Sequence, residues 1–406
     1  MQKHTQSEEK KSRRSVLLGA ALLMATSAVG PGFLTQSATF TATYMGQLAI
    51  IMVLVILMDI ITKLNVWSII GVSGKRAPEL ANEVLPGLGQ AVSLLVAFGG
   101  LVFNIGNVGG IALALNALFH IPEAAGCVLG GAFAIVLLAS KNASGGIDLL
   151  AKCLGAVMVL IALVVAVSTR PPVDLLACGF FHLEEPVSLL IPMITILGGS
   201  CGGYISFSGA HRLLDAGIYG RDNLSDIRKS VLLGSGVTGV IRLLLFLAAY
   251  GVCMAGGNAI REAVMQSSNP AAEVFLQALG DLGFRLFAVI LLCASLSTVT
   301  GAAYTSVSFL KTLHPVMKNH SRAVTILFIL LSSGIMAVFG GAARLLVLAG
   351  AVNGLILPVS LSVILIAGRK KSIVGDYRHS FILTVLGLII VLITLFFGLY
   401  SIAALF

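Results

Sequence analysis

The sequence predicts an all-α integral membrane protein in which two of the membrane-spanning helices are interrupted. Hydrophobic residues make up 57% of the 406-residue chain and charged residues only 11%, whereas soluble domains carry roughly 25% charged residues. The mean hydropathy is +1.01. The apolar runs are about 20 residues long or longer, which is the length of a membrane-spanning helix and not of a barrel strand.

Hydropathy predicts about eleven spans along the chain. They cover residues 15–45, 46–72, 87–118, 122–141, 146–169, 187–216, 229–256, 272–310, 321–339, 343–368 and 380–404. Several are longer than one crossing needs, so we expect tilts or breaks within them. The first run continues through a polar stretch and has no small-residue cleavage site, so we interpret it as a span and not as a signal peptide.

Lysine and arginine concentrate in the N-terminal tail and in alternate loops, which predicts that these segments face the cytoplasm. The basic residues on this side are Lys3, Lys10, Lys11, Arg13, Arg14, Lys75, Arg76, Lys141, Arg221, Arg228, Lys229, Lys311, Lys318, Arg322, Arg369, Lys370, Lys371 and Arg378. The opposite side holds mainly Arg170, Arg261 and Arg344. An odd number of spans therefore predicts a cytoplasmic N-terminus and an external C-terminus in the plasma (inner) membrane.

The first and the sixth spans contain similar polar breaks. The first reads GPGFLTQSATFT over residues 30–41, and the sixth reads LGGSCGGYISFSGAHR over residues 197–212. Five spans separate the starts of these two helices, so the second unit is inverted relative to the first. Interrupted helices at matching places in two halves indicate an inverted-repeat transporter. The predicted units are a basic tail (1–14), repeat 1 with helices 1–5 (15–169), repeat 2 with helices 6–10 (187–369) and an eleventh helix (380–406).

A helix that breaks inside the membrane leaves amide and carbonyl groups without partners, which is tolerable only where they face a cavity or a substrate. Glycine clusters also allow close helix packing, but two matching clusters with adjoining polar residues favour a binding site. The predicted substrate-binding residues are Thr35, Gln36, Thr39, Thr41, Gly199, Ser200, Cys201, Gly202, Tyr204 and Ser206. We expect the GGSCGG stretch to offer backbone N–H groups to the substrate. We also expect Gly202→Leu to abolish uptake without unfolding the protein.

Polar and charged residues elsewhere in the spans are candidates for coupling or for the transport pathway. They are Asn104, Asn107, Ser297, Thr298, Asn353, Asp59 and His211. Two pairs with i,i+4 spacing, Asp59 with Lys63 and Asp148 with Lys152, are also explained by structural ion pairs. Arg242 lies inside a span and needs a partner, or it supplies charge to an anionic substrate. Two roles are open for His211, Arg212 and Asp215, which either form a cytoplasmic gate or anchor the helix at the membrane interface. Asn353 is explained by a hydrogen bond between helices.

Four segments together resemble the NRAMP family of metal-ion transporters. They are GPGFL at 30–34, GGIALALNALFHIP at 109–122, SLSTVTGAAYTS at 295–306 and VLAGAVNGLILPVSL at 347–361. The resemblance implies the LeuT-type fold, with two inverted five-helix repeats and a substrate between broken helices one and six. It also implies secondary-active uptake, usually driven by protons.

The departures from the family motifs argue against a metal site. Counting from GPGFL, the DPGN motif of helix one falls at residues 41–44, and the MPHN motif of helix six falls at residues 202–205. The motif's Asp, Met and Asn are missing there, and a helix-ten Gln of the family is replaced by Gly350. Asn104 and Asn107 stand where the family carries acids implicated in proton movement.

The breaks carry no carboxylates, which are the ligands that a divalent cation needs. A helix N-terminus at a break would instead favour an anion. We therefore predict ion-coupled uptake of a small carboxylate or amino-acid-like solute. The resemblance to a GPGFLTQ branch, whose members lie beside 5-oxoproline-degrading enzymes, implies 5-oxoproline as one candidate. The alternative is a divalent metal cation (Mn, Fe or Mg) as in typical NRAMP proteins.

Other classes of protein are less consistent with the sequence. There is no HExxH motif and no pair of intramembrane carboxylates, so we expect no enzymatic activity. A channel lacks support because no repeated filter-like loop or charged ring is present. We expect a small-molecule solute and the lipid bilayer as partners, no nucleic acid and no cofactor. H+ and Na+ both remain open as the coupling ion, and the oligomeric state is not predicted.

Overall fold

A computed structural model describes residues 2–139, 143–183 and 185–403, with the side chains of residues 1–13, 139–155, 173, 184 and 400–406 outside the description. The predicted pair Asp148 and Lys152 lies outside the described side chains. The helices are α1 (Gln2–Ala28), α2 (Pro31–Tyr44), α3 (Leu48–Ser73), α4 (Ala77–Val84), α5 (Leu88–Phe119), α6 (Glu123–Ala139), α7 (Ala143–Ser168), α8 (Val173–Phe181), α9 (Leu190–Cys201), α10 (Ile205–Asp215), α11 (Leu224–Gln266), α12 (Pro270–Leu310), α13 (Pro315–Asn319), α14 (Ser321–Phe339), α15 (Ala342–Ala367), α16 (Lys371–Val374) and α17 (Phe381–Ala403).

The architecture is all-helical across the described residues, as the sequence predicts. Eight helical segments there are long and apolar enough to cross a membrane, and shorter apolar helices cover residues 14–28, 123–138 and 156–168. Helices therefore lie in all eleven segments that the sequence predicts as spans. The first of these spans comprises α1 and α2, and the sixth comprises α9 and α10. A 3-10 turn at Met45–Gln47 joins α2 to α3.

Helix one breaks where a proline follows a glycine. Gly30 has extended backbone angles, φ −102° and ψ −175°, and Pro31 opens α2. A proline ring pushes the preceding residue out of the helical region and suits the first position of a new helix. The break therefore lies at residues 29–30. Residues 31–44 form one continuous helix, so residues 41–44, where the DPGN motif is predicted to fall, lie away from this break.

Helix six breaks at a pair of glycines. Gly202 is extended, with φ −73° and ψ 160°, and Gly203 adopts the left-handed region with φ +51°. Side chains other than glycine rarely adopt that region. The chain then re-enters the helical region at Tyr204 and continues into α10. The break lies within the stretch that the sequence predicts.

The long runs of α11 and α12 contain kinks, as their length predicts. Gly257 in α11 has φ +63°, and Gly280 in α12 has φ +65°. Both long helices nevertheless pack against the centre of the molecule. α12 lies along α5, α11 lies along α2 and α3, and α15 packs between α5 and α9. The two broken helices are thus enclosed by continuous ones.

Candidate functional site

Gln36 is the polar side chain that joins broken helix one to α9 and α15. It is fully buried, and its Nε2 donates a hydrogen bond of 3.0 Å to the Leu346 carbonyl oxygen. A Cβ atom built on Gly199 would lie 2.4 Å from Gln36 Oε1, and one on Gly350 would lie 2.3 Å from Nε2. The two glycines therefore leave the space that the amide occupies. Gln36 Oε1 has no hydrogen-bond partner among the described residues.

Arg242 of α11 lies beside both broken helices. Its guanidinium carbon is 4.0 Å from the centre of the Phe33 ring at the start of α2, and Nη2 donates a hydrogen bond of 2.5 Å to Ser200 Oγ near the end of α9. The residue is 2% exposed. The carbonyl end of α9 and the aromatic face both favour a cation. Within the described part of the chain, Nη1 remains without a hydrogen-bond partner.

A buried ion pair lies on the same narrow cavity as Arg242. Lys63 Nζ is 2.8 Å from Asp59 Oδ1 and 2.9 Å from Oδ2, which makes the predicted i,i+4 pair a real contact. Asp59, Ser200, Phe33 and Arg242 all line this cavity. The buried Lys, Arg, Asp and Glu residues of the described chain are Asp59, Lys63 and Arg242. Two cations face one carboxylate, so one positive charge is left uncompensated beside the breaks.

Asn107 of α5 lies between the two breaks. A Cβ on Gly30 would be 3.5 Å from Asn107 Oδ1 and 3.0 Å from Thr298 Cγ2, and the Asn107 side chain lies near the Tyr204 hydroxyl. Tyr204 is 1% exposed, and its ring lies edge-on to Phe103. The structure therefore brings together Asn107, Thr298 and Tyr204, which the sequence predicts in two separate roles.

Asn353 closes the other side of the helix-six break. Its Nδ2 donates to the carbonyl oxygens of Gly99 and Ala349 at 3.0 and 2.9 Å, which confirms an interhelical hydrogen bond. A Cβ on Gly203 would be 2.0 Å from Asn353 Oδ1. A Cβ on Gly202 would be 2.6 Å from the Asn353 carbonyl oxygen. Gly202 thus permits close backbone packing, and the expectation that a leucine there would leave the fold intact is wrong.

Several predicted residues lie away from the breaks. Thr39 and Thr41 are about 13 and 16 Å along α2 from Gly30, at about 1.5 Å per residue, and Thr41 bonds to its own helix at Ser37. Asn104 donates to Ser332 of α14 at 2.8 Å. The remaining positions are Ser297, which lines an apolar cavity, and His211, which stacks near Phe309.

Hydroxyl and thiol groups around the helix-six break mostly bond to nearby backbone. Ser200 Oγ donates to the Ile196 carbonyl oxygen at 2.7 Å, and Cys201 Sγ lies 3.4 Å from the Leu197 carbonyl oxygen. Ser206 Oγ donates to the Cys201 carbonyl oxygen. Thr35 is buried with 2% exposure. Of this group, the Ser200 hydroxyl also contacts a charged side chain, that of Arg242.

The backbone donors at the breaks are not those that the sequence predicts. Residues 198–201 belong to the C-terminal end of α9, where carbonyl groups and not N–H groups lack helical partners. The N-terminal ends at the breaks are those of α2 and α10. By helix geometry, the first amides of α2, at Gly32 and Phe33, have no carbonyl four residues earlier in the same helix. Phe33 is also the residue whose ring contacts the Arg242 guanidinium.

Broken helices one and six, enclosed by continuous helices and lined by polar groups, define a transporter of the LeuT-type fold. A family model described as "Natural resistance-associated macrophage protein-like" matches residues 21–404, and the chain belongs to this family.

Relatives and solved structures agree with this assignment. The chain is 44% identical over 387 residues to YcsG, an uncharacterized membrane protein of Bacillus subtilis (strain 168), covering 95% of this chain and 94% of that one. It is 42% identical over 381 residues to an uncharacterized membrane protein of Haemophilus influenzae, covering 94% of each. A mutant of the Eremococcus coleocola manganese transporter superposes with a TM-score of 0.74 at 18% identity, covering 96% of this chain and 87% of that one.

A second structural neighbour has a different ligand in its description. MhsT in complex with L-phenylalanine superposes with a TM-score of 0.59 at 15% identity, over 96% of this chain and 98% of that one. At these identities both likenesses show the fold alone. The family and the neighbours together indicate a multi-pass membrane transporter and not an enzyme.

Four residues at this site are not among the predicted substrate-binding residues: Phe33, Lys63, Arg242 and Gly350. For Arg242 the sequence does offer a role, as a charge for an anionic substrate. Arg242 was identifiable as a charge inside a predicted span, because such residues are expensive and mark functional sites. Its contacts with Phe33 and Ser200 join residues far apart in the chain. The spacing of residues along the sequence does not predict contacts of this kind.

Proposed function

We propose that this NRAMP-family protein takes up a small carboxylate or amino-acid-like solute by ion-coupled alternating access. The observation that carries the proposal is the uncompensated positive charge of Arg242 beside both breaks. Desolvating an ion costs several kcal/mol, so a buried charge is normally paired. An anionic substrate would provide that pairing, and the free Nη1 of Arg242 would donate to it.

The surrounding groups fit a carboxylate that also carries a hydrogen-bond donor. The first amides of α2 point to the break from a helix N-terminus, which favours an anion. Gln36 Oε1 is a buried acceptor with no partner among the described residues. 5-Oxoproline is one molecule of this class. The cavity is narrow in this conformation, so a substrate enters only as the helices separate.

A divalent metal is the second candidate because structural neighbours are manganese transporters. The donor set argues against it for this chain. In the described part of the chain, no three His, Cys, Asp or Glu residues form a group that could hold a metal ion. The carboxylate near the breaks, that of Asp59, already pairs with Lys63. Adding two positive charges beside Arg242 would raise the electrostatic cost of the site.

A thermal-shift screen of the purified protein in detergent tests the proposal. A ligand that binds the folded state raises the melting temperature. We expect small carboxylates, 5-oxoproline among them, to stabilise the protein, and the corresponding neutral amides and Mn²⁺ not to do so. Stabilisation by Mn²⁺ at micromolar concentration, with none from any carboxylate, would overturn the proposal. We also propose that the protein lies in the plasma (inner) membrane with its N-terminus cytoplasmic and its C-terminus external.

A further inference from the structure

One face of α10 makes a series of contacts with α12. Phe207 and His211 are one helical turn apart, and the Phe309 ring packs against both, with ring centres 5.3 and 5.1 Å away. His211 Nδ1 is 3.4 Å from Ser308 Oγ. Asp215 comes one further turn along. The three α10 residues therefore form a stripe at i, i+4 and i+8.

Asp215 ends this stripe with two polar contacts. The Tyr304 hydroxyl of α12 donates a hydrogen bond of 2.9 Å to Asp215 Oδ2, and Arg76 forms an ion pair with Oδ1. Arg76 is itself held at the start of α4, because its backbone N–H donates to Glu79 Oε2 at 2.8 Å. The carboxylate thus joins the end of α10 to α12 and to the start of α4, a helix that packs against α5 and α15.

The opposite side of α10 is attached to α3. Trp67 Nε1 donates a hydrogen bond of 2.9 Å to the Ser206 carbonyl oxygen, and the absence of a side chain at Gly209 leaves room for the Trp67 ring. At its other end, the extended Gly202 and the left-handed Gly203 separate α10 from α9. α10 is therefore attached to α3 and hinged at the helix-six break.

We propose that Asp215 is a latch residue that holds the hinged half-helix α10 against α12 and so keeps the inner side of the transport path shut. The contacts with Tyr304 and Arg76 lie at the predicted cytoplasmic side. Releasing them frees α10 to move with α3, away from α12. This opens a route from the cytoplasm to the helix-six break. The proposal concerns the conformational change and holds for any substrate.

Cys201 provides a native reporter of the opening, because it lies at the helix-six break and is fully buried. In a background where the other cysteines, at residues 127, 153, 178, 253 and 293, are replaced by alanine, Cys201 is labelled in inside-out vesicles with a membrane-impermeant maleimide. We expect Asp215→Asn to raise the labelling rate several-fold, because it removes the ion pair with Arg76 and weakens the contact with Tyr304, and exposed contacts of this kind are individually weak.

Glu83→Gln is the matched control. It removes an ion pair with Lys75 on the same side of the molecule, and neither residue belongs to α10 or α12. We expect the control to label at the parent rate. The double exchange Arg76→Asp with Asp215→Arg should restore slow labelling, because it recreates the ion pair.

Tyr304→Phe is a second variant that tests the latch if Asp215→Asn does not fold. It removes the hydroxyl and keeps the ring, and we expect it to raise Cys201 labelling in a protein that elutes as the parent does. Parent-rate labelling in every folded variant of Asp215 and Tyr304 would overturn the latch. An equal rise in the Glu83→Gln control would also overturn it.

Discussion

Arg242 explains at the level of one residue why polar breaks without carboxylates form a site. Its charge is desolvated, it contacts Phe33 and Ser200, and one of its nitrogens has no partner in the described part of the chain. The aromatic ring and the helix end offset part of the desolvation cost. An anion delivered by the substrate would offset the rest.

We expect Arg242→Gln to lower the apparent affinity for a carboxylate substrate by about 10- to 100-fold. A hydrogen bond to a charged group contributes about 1.5–3 kcal/mol, and each 1.4 kcal/mol is a factor of ten. The protein should remain folded, because a buried charge is removed. The measurement is concentration-dependent uptake in proteoliposomes. Arg285→Gln is the control, since Arg285 pairs with Asp281 on the surface of α12; parent affinity in Arg242→Gln would contradict the assignment.

Gln36 and Gly199 form a second residue-level test, because the glycine has a packing role. The three atoms nearest to a Cβ on Gly199 would all belong to Gln36, at 2.4 to 3.1 Å. We expect Gly199→Ala to lower the stability by about 1–3 kcal/mol, the usual cost of overpacking. The cost should largely disappear in a Gln36→Ala background, which makes the space.

Thermal unfolding in detergent measures this coupling as a double-mutant cycle. Gly236→Ala is the control, because an added Cβ there meets no atom within 4 Å. A Gly199→Ala penalty that is the same with and without Gln36 would show that the amide does not occupy the position described.

At the level of the helices, the sequence predicts which two are broken and assigns each break to a glycine-rich stretch. For helix six, the glycine pair lies within the predicted stretch 197–212, because a left-handed residue requires glycine. For helix one, the predicted stretch runs from Gly30 to Thr41, and the break lies at its start, where Pro31 ends the preceding helix by local sterics. Hydroxyl groups within α2 bond to carbonyls of their own helix, as Ser37 and Thr41 do, and such bonds need no break.

A polar chain near the predicted cytoplasmic surface joins α3, α11 and the segment before α17. Arg228 Nη2 donates to the Tyr377 hydroxyl at 3.0 Å, and that hydroxyl is 3.0 Å from His379 Nδ1. His379 Nε2 is 2.8 Å from Asn65 Oδ1. The geometry fits a neutral imidazole, with Nε2–H as the donor and Nδ1 as the acceptor. Burial, together with the smaller effect of the nearby Arg228 charge, lowers the pKa of His379 to about 4.

The lowered pKa predicts a loss of stability on acidification. The unfolded chain protonates His379 near its ordinary pKa of about 6.5, while the folded protein resists protonation until about pH 4. The contribution is therefore fully present above about pH 6.5 and declines as the pH falls toward 4. Melting temperatures between pH 7.5 and 4.5 should fall more steeply for the parent than for His379→Gln. Identical slopes would show that His379 does not titrate in this way.

At the scale of the whole molecule, the family and the fold were accessible from the sequence, because span lengths and motif order survive divergence. The basic residues further predict the orientation of the molecule. A reporter at residue 5 and another in the loop 221–228 should both be cytoplasmic, and one at the C-terminus should be external. Paired phosphatase and fluorescent-protein fusions measure this, and a cytoplasmic C-terminus would overturn the odd number of spans.

The substrate was less accessible, because it depends on charges that the fold brings together from separate helices. Asp59 and Lys63 were predicted as a pair from their spacing. The position of Arg242 beside both breaks was not, since it joins α11 to α2 and α9. The balance of these three charges is a property of the packed helices and decides the sign of the expected ligand.

The most direct test of the central claim is uptake by the parent protein in proteoliposomes, with a carboxylate, its neutral amide and Mn²⁺ compared side by side. 5-Oxoproline and its carboxamide form one such pair, extended by a panel of other small carboxylates. An uncompensated Arg242 charge predicts saturable uptake of at least one carboxylate, no uptake of the matching amide and no saturable uptake of micromolar Mn²⁺. Saturable Mn²⁺ transport in the absence of any carboxylate transport would contradict the account.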